Sequence, residues 1–237
     1  MSESLKDPRI AEGMRAQMEL RKKRLAEGAR QIGWKVGFGA PGAKERFKIS
    51  APVVGFLLDR ALLSSGASVN LANWTKPAAE AEIAAYIGKD LPAGASREEA
   101  KAAVEAIGPA IELADIDGPP DDLRAALAGD IYQRHVILGP RDTSRAGLRI
   151  DGLRAQVTKS GADVPAPADL ETNIGDIVDI VRHVADVTAA LGDGLRTGQF
   201  IICGSLTTAP MFLDRAEKSI EYALEPIGAI SVRFGGG

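Results

Sequence analysis

The chain has one cysteine, Cys203, and two histidines, His135 and His183, so it is short of the residues that form disulfides or hold zinc. One thiol allows no internal disulfide, and a reducing cytoplasm is the natural home of such a chain. The same scarcity argues against a zinc centre of the His/Cys type. Any metal here is expected on oxygen ligands, which points to Mg²⁺, Mn²⁺ or Ca²⁺. No apolar run approaches the ~20 residues of a membrane span, and the opening MSESLKDPRI lacks the apolar core of a signal peptide. The net charge is −3, so no basic field exists to attract nucleic acid or an anionic membrane. The cationic run Arg21–Arg24 lies on a helical pattern that also holds Glu19 and Glu27, and reads as a solvated helix face.

What is present is a chain of 237 residues, 45% hydrophobic and 26% charged, enough for a substantial core. Ala11, Met14, Met18, Leu25, Ala29 and Ile32 recur at spacings of three, four and seven, which predicts an amphipathic helix over residues 8–31. Ile32, Trp34 and Val36 then alternate with Gly33, Lys35 and Gly37, a short strand running into a glycine-rich loop. Ser96 and Glu99 form a capping-box pattern that opens a helix of about ten residues, ending near Gly108. PAIELADID, RHVILG, LRIDGLRAQVTKSG (turning at Asp151-Gly152), QFIICGSL and GAISVRF read as strands, and Ile177 to Leu191 as a second helix closing at Gly192. Strands outnumber helices without alternating regularly with them, so the expected class is α+β with a mixed sheet. The expected organisation is a single domain over 1–237, with a helix-and-strand cap in 1–70 and a β-rich core in 71–237.

Several motifs invite chemistry they do not support. GFGAPG fits G-x-G-x-x-G at Gly37, Gly39 and Gly42, but the segment after it offers at most two helical turns before Pro52. A dinucleotide loop must open a helix whose N-terminus meets the phosphate, so this segment reads instead as a mobile glycine-rich loop beside an active site. Ser205 and Cys203 are possible nucleophiles, yet neither sits in a nucleophile elbow or near a histidine in sequence. Cys203 reads as a packed strand residue and His183 as a partly exposed helix residue.

The carboxylates stand apart. In KPAAEAEIAAYIG, Glu80 and Glu82 are one residue apart inside an apolar run. On a strand they share a face with Tyr86, opposite Ala81, Ile83, Ala85 and Ile87. A helix stays open, because Ala and Glu are strong helix formers and Ile83 and Ile87 lie four apart. Glu112 interrupts a second apolar run, AIELADI. Three buried carboxylates cost several kcal/mol each unless they meet cations or keep protons, and a Mg²⁺ held by three of them keeps three coordination positions for substrate and water. Asp115 is a rival third ligand, but strand alternation sends it to the opposite face from Glu112. Lys35, by pattern alone, reads as a snorkelling strand lysine.

Taken together, GWKVG, GFLLDRALL, EAEIAAYIGKDLP, AIELADID and LGDGLRTGQFIICGSL occur in the order of the fumarylacetoacetate hydrolase superfamily. The chain resembles its 2-oxopent-4-enoate hydratase and 4-oxalocrotonate decarboxylase branch from about Ala11 to Pro210. The resemblance implies that superfamily's strand-rich roll with an N-terminal helix, with Glu80, Glu82 and Glu112 binding Mg²⁺ or Mn²⁺. It implies Lys35 as the proton-transfer group, its pKa lowered by the nearby cation, and Gly204 and Ser205 at the substrate pocket. The implied activity is hydration of a 2-hydroxydienoate through its 2-oxo form, as in degradation of aromatic compounds. Alternatives with the same chelation are 4-oxalocrotonate-type decarboxylation and acylpyruvate hydrolysis; another is a weakly active homologue serving as partner subunit. A homo-oligomer, or a complex with a related decarboxylase or hydratase subunit, is implied by the same analogy. Two segments depart from the branch. GDIYQRHVILG carries Tyr132, Gln133 and Arg134 where small polar residues are usual, and MFLDRAEKS replaces a glycine-aspartate pair. Both departures bear on recognition of the substrate's side chain rather than on the metal.

Overall fold

The computed structural model describes residues 3–119 and 121–235. Helix α1 (Pro8–Ala26) begins where Pro8 takes the first helical turn and the Asp7 carboxylate accepts from the Arg9 amide. It ends five residues before the limit expected from the pattern. Gly28 turns the chain left-handed at φ +86°, and Ile32 enters strand β1 (Gln31–Gly37). Then follow α2 (Pro41–Phe47), β2 (Val53–Leu58), β3 (Leu62–Leu63) and β4 (Ala67–Val69). KPAAEAEIAAYIG forms β5 (Pro77–Ile87), so the helix that composition left open is not formed.

Helix α3 (Arg97–Ala103) carries the expected capping box at Ser96 and Glu99 but stops well before Gly108. Val104 is already extended and starts β6 (Val104–Asp115), a β-branched residue going into a strand with no loop between. Next come α4 (Leu123–Ala128), β7 (Gln133–Leu138), β8 (Arg154–Lys159) and β9 (Ala162–Val164). Only the second half of LRIDGLRAQVTKSG is strand; turns and loop precede it. The remainder is α5 (Glu171–Ile174), α6 (Ile177–Ala190), β10 (Phe200–Ser205), β11 (Met211–Phe212), β12 (Ser219–Glu225) and β13 (Gly228–Phe234).

Two sheets result. The larger runs β2-β1-β10-β5-β6-β7-β3, with β11 pairing the start of β5; the smaller runs β4-β13-β12-β8-β9. Both mix parallel and antiparallel pairs, so the architecture is α+β with strand-rich mixed sheets. β5 and β6 lie at the centre and are buried on both faces. On one face Ile83, Ile87, Ile107 and Ile111 join Val181 and Val184 of α6 and Tyr222, Ile230 and Val232 of the small sheet. Ile83, Ile87, Ile107 and Ile111 are fully buried, each contributing ~1.5–3 kcal/mol. On the other face Ala84, Tyr86, Ala106, Ala110, Phe200 and Ile202 form a second, smaller cluster. The carboxylates lie on that same second face, towards the start of β5. No helix among the described residues is long and apolar enough to cross a membrane.

Candidate active site

Register places the carboxylates. Glu80 pairs with Glu112 across β5 and β6, and Glu82 stands two residues along the same face. One carboxylate oxygen from each of Glu80, Glu82 and Glu112 lies within 4.8 Å of the others. Lys35 pairs with Ile202 in parallel β1 and β10 and therefore points to this same face. Its Nζ is ion-paired with Glu112 Oε1 and donates to the Ile131 carbonyl at 3.4 Å. Lys35 is 2% exposed, and Glu82 and Glu112 are fully buried. Glu80 is the half-buried member and faces a pocket that Lys35, Gly204 and Ser205 also line.

The order of β10 breaks where it is needed. The β5–β10 register shifts between Ile202 and Ser205, and Gly204 sits at φ +101°, a conformation suited to glycine. The bulge aims the Gly204 amide at Glu82 Oε2, 2.6 Å away. Glu82 Oε1 and Glu112 Oε2 are buried with no hydrogen-bond partner. Two unpartnered buried carboxylate oxygens, with the half-buried Glu80 carboxylate beside them, are a donor set suited to a hard divalent cation.

Charge in this cluster is frustrated. Burial, then the Glu112 carboxylate, raises Glu80 to about 7, with Lys35 opposing. Burial and then the Glu112 and Glu80 carboxylates push Glu82 well up, and burial raises Glu112 despite its Lys35 partner. Burial acts to lower Lys35, but Glu112, Glu80 and Glu82 outweigh it, so its pKa lies above the ordinary lysine value. In the cluster as it stands this is opposite to the lowered pKa that the resemblance implies; the carboxylates' charge dominates until a cation offsets it.

The structure adds residues that sequence reasoning missed. Asp130 is buried at 1% exposure beside Lys35. Its Oδ1 accepts from the Phe56 amide at 2.9 Å, and burial raises it to about 8. Asp130, Ile131 and Tyr132 are all left-handed, at φ +62°, +52° and +62°, costing roughly 1–2 kcal/mol each. The turn is held by Ile131 N donating to Ala126 O at 2.7 Å and Asp115 N to Tyr132 O at 2.9 Å. Gly55 makes room beneath: a Cβ there would sit 2.8 Å from Asp130 Oδ1 and 2.9 Å from Lys35 Cγ. Asn173, on α5, also reaches the pocket wall. No spacing pattern marks Asp130 or Asn173; the one signal near that turn is GDIYQRH, as a departure from the branch.

Other residues fall outside the chemistry. Asp115 points away from Glu112 and accepts from the Thr75 and Lys76 amides. Cys203 Sγ is buried in the core, where burial pushes the thiol up. His183 Nε2 lies 2.8 Å from the Pro52 carbonyl, and neither histidine lines the pocket. The Phe38–Gly39–Ala40 loop of GFGAPG does line it, ahead of the two-turn α2.

Residues 31–234 match the fumarylacetoacetate (FAA) hydrolase C-terminal family. A 2-hydroxyhexa-2,4-dienoate hydratase from Comamonas testosteroni is 30% identical over 217 residues, covering 89% of this chain and 81% of that protein. A 4-oxalocrotonate decarboxylase from a Pseudomonas species is 27% identical over 219 residues, covering 88% and 80%. The fold matches the 4-oxalocrotonate decarboxylase of Pseudomonas putida G7, solved with magnesium and adipate, at a TM-score of 0.86 and 22% identity over 95% of this chain and 86% of that one. This chain belongs to the fumarylacetoacetate hydrolase C-terminal family.

Proposed function

We propose that the chain is a divalent-metal-dependent hydratase acting on a short unsaturated 2-oxo acid, formed from a 2-hydroxydienoate of aromatic-compound breakdown. The observation that carries this reading is the cluster of Glu80, Glu82 and Glu112 facing Lys35 at the base of one pocket. The relatives, a hydratase and a decarboxylase of such acids, support it. Glu80, Glu82 and Glu112 would hold Mg²⁺ or Mn²⁺, and the Gly204 amide fixes Glu82 in place. When bound, the cation supplies electron withdrawal from a chelated 2-oxo carboxylate.

The chain's own residues do the rest. Lys35, held charged by Glu112, has a proton to give to substrate carbon as the dienol becomes the 2-oxo form, and its freed amine can take the 2-hydroxyl proton. Ketonisation leaves a C=C conjugated to the carbonyl, across which water adds. Ser205 Oγ, 3.1 Å from Thr207 Oγ1, offers a polar contact in the pocket wall for water or substrate. Burial of Lys35 and of two of the carboxylates keeps bulk water from the proton path. The proposed setting is the cytoplasm, and the proposed assembly a homo-oligomer, checked by light scattering.

The test is absorbance spectroscopy of purified protein with Mg²⁺ and, in turn, a 2-hydroxydienoate, an oxalocrotonate and an acylpyruvate. Turnover of the first with water uptake is expected. Carbon dioxide release from the second in preference would make the chain a decarboxylase. Metal binding without turnover of any would favour a partner-subunit role. Unchanged metal affinity in Glu82→Gln would remove the three-glutamate site.

A further inference from the structure

The pocket carries a charge inventory that bears on the far end of the substrate. Among the described residues lining it, the charged side chains are Lys35 and Glu80, both at the base. Beyond them the apolar part of the wall includes Phe38, Ile116, Ile131, Tyr132, Ile174 and Pro210. The polar groups in the wall are largely committed. The Tyr132 hydroxyl donates to Pro119 O at 3.1 Å, Asn173 Nδ2 to Leu206 O at 2.9 Å, and Thr207 Oγ1 to Ala209 O at 2.9 Å. Nearby guanidinium groups are engaged outside the pocket, Arg46 with Asp121 and Arg134 with Asp117.

The left-handed turn sets this arrangement. It stations Ile131 above Gly37, where a Cβ would come within 2.8 Å of Ile131 Cγ2, and it turns the Tyr132 hydroxyl back to Pro119. Tyr132 therefore offers ring surface to the pocket rather than a free donor. The base has no positive charge to spare: three glutamates, one lysine and a divalent cation sum to zero, and the 1-carboxylate of a 2-oxo acid already brings the pocket to minus one. A second carboxylate at the far end would give up its hydration against an apolar wall with no cation to meet it.

We infer that the wall formed by Phe38, Ile116, Ile131 and Tyr132 selects 2-oxo monocarboxylates with an uncharged, apolar tail and rejects 2-oxo dicarboxylates of the same length. The inference rests on the proposed chelation of the 2-oxo acid at the base. It assigns the hydratase-type substrate by the chemistry of its distal end rather than by the reacting carbons.

The test is equilibrium binding, by calorimetry with Mg²⁺ present, of 2-oxohexanoate and 2-oxoadipate, six-carbon acids that differ in the distal carboxylate. The expected result is at least tenfold tighter binding of 2-oxohexanoate. Equal binding, or tighter binding of 2-oxoadipate, overturns the inference and leaves the metal site standing. Binding of neither overturns the chelation reading beneath it. Thr208, exposed where it lines the pocket, provides a second arm. Thr208→Arg sets a cation at the rim and is expected to raise the ratio of 2-oxoadipate to 2-oxohexanoate affinity at least fivefold. An unchanged ratio would show that the far end does not lie along this wall.

Discussion

Loading the metal-free protein with Mg²⁺ should expel protons, and the count follows from the carboxylates. Glu80 is raised from 4.5 to about 7, and Glu82 is raised well above its ordinary value. At pH 6 the folded, metal-free cluster therefore keeps protons that free carboxylates would have lost, and a cation binding there must displace them. Glu80 alone is half ionised at pH 7 and about one part in a hundred at pH 5, so its titration weakens metal binding roughly 50-fold between those values. Glu82, raised in the same direction, steepens the dependence further.

The sign for stability runs the other way in the metal-free protein. An acid whose folded pKa is raised binds protons that the unfolded chain has released, so stability falls as pH rises from about 4.5 towards 7 and beyond. Saturating Mg²⁺ reverses that loss, adding ~2.7 kcal/mol at a hundred times its Kd. Calorimetric titrations at pH 6 in two buffers of different ionisation enthalpy measure the protons released; more than one per Mg²⁺ is expected. A release near zero, with a Kd flat from pH 5.5 to 8, would refute the three-carboxylate cluster as the metal site.

Other consequences follow from neighbouring residues. Asp130→Asn keeps an oxygen for the Phe56 amide but removes a group raised from 3.8 to about 8, whose stability contribution falls as pH rises across that window. At ~1.4 kcal/mol per unit the upper limit is ~6 kcal/mol, so urea denaturation should show the variant gaining several kcal/mol over wild type at pH 8.5 relative to pH 5. An equal difference at both pH values would mean Asp130 is ionised in the fold. Lys35→Met should lose about 10²–10⁴ in kcat while still binding Mg²⁺, the range expected for a lost proton-transfer group; retained turnover would remove Lys35 from the chemistry. Gly55→Ala drives a methyl against Asp130 and the Lys35 stem, both buried, and should cost about 1–3 kcal/mol of stability together with a fall in kcat. A variant unchanged in both would show that the stem has room to shift.

How far these features can be read from sequence depends on whether they have a period. Glu80 and Glu82 share a face because strand side chains alternate, and the α+β class followed from the irregular order of strand-like and helix-like runs. The same apolar stretch left strand against helix unsettled because β5 is buried on both faces, so alternation of polar and apolar residues is muted to two glutamates. Helix ends are obscured where spacing continues by chance: Ile32 lies on the helical spacing of α1 but belongs to β1, and the run from Ser96 to Gly108 hides a direct passage from α3 to β6.

Asp130 shows the deeper limit. It lies beside Lys35 because three consecutive side-chain-bearing residues accept a left-handed backbone, a conformation that local preference disfavours and surrounding contacts impose. Its partner Gly55 lies 75 residues earlier and signals nothing but a gap in an apolar strand. Strand periodicity thus placed the carboxylate pair, whereas the turn beneath Lys35 and the apolar wall that Ile131 and Tyr132 extend from it arise from tertiary packing. The pocket's choice of tail chemistry therefore rests on the part of the chain least governed by local rules.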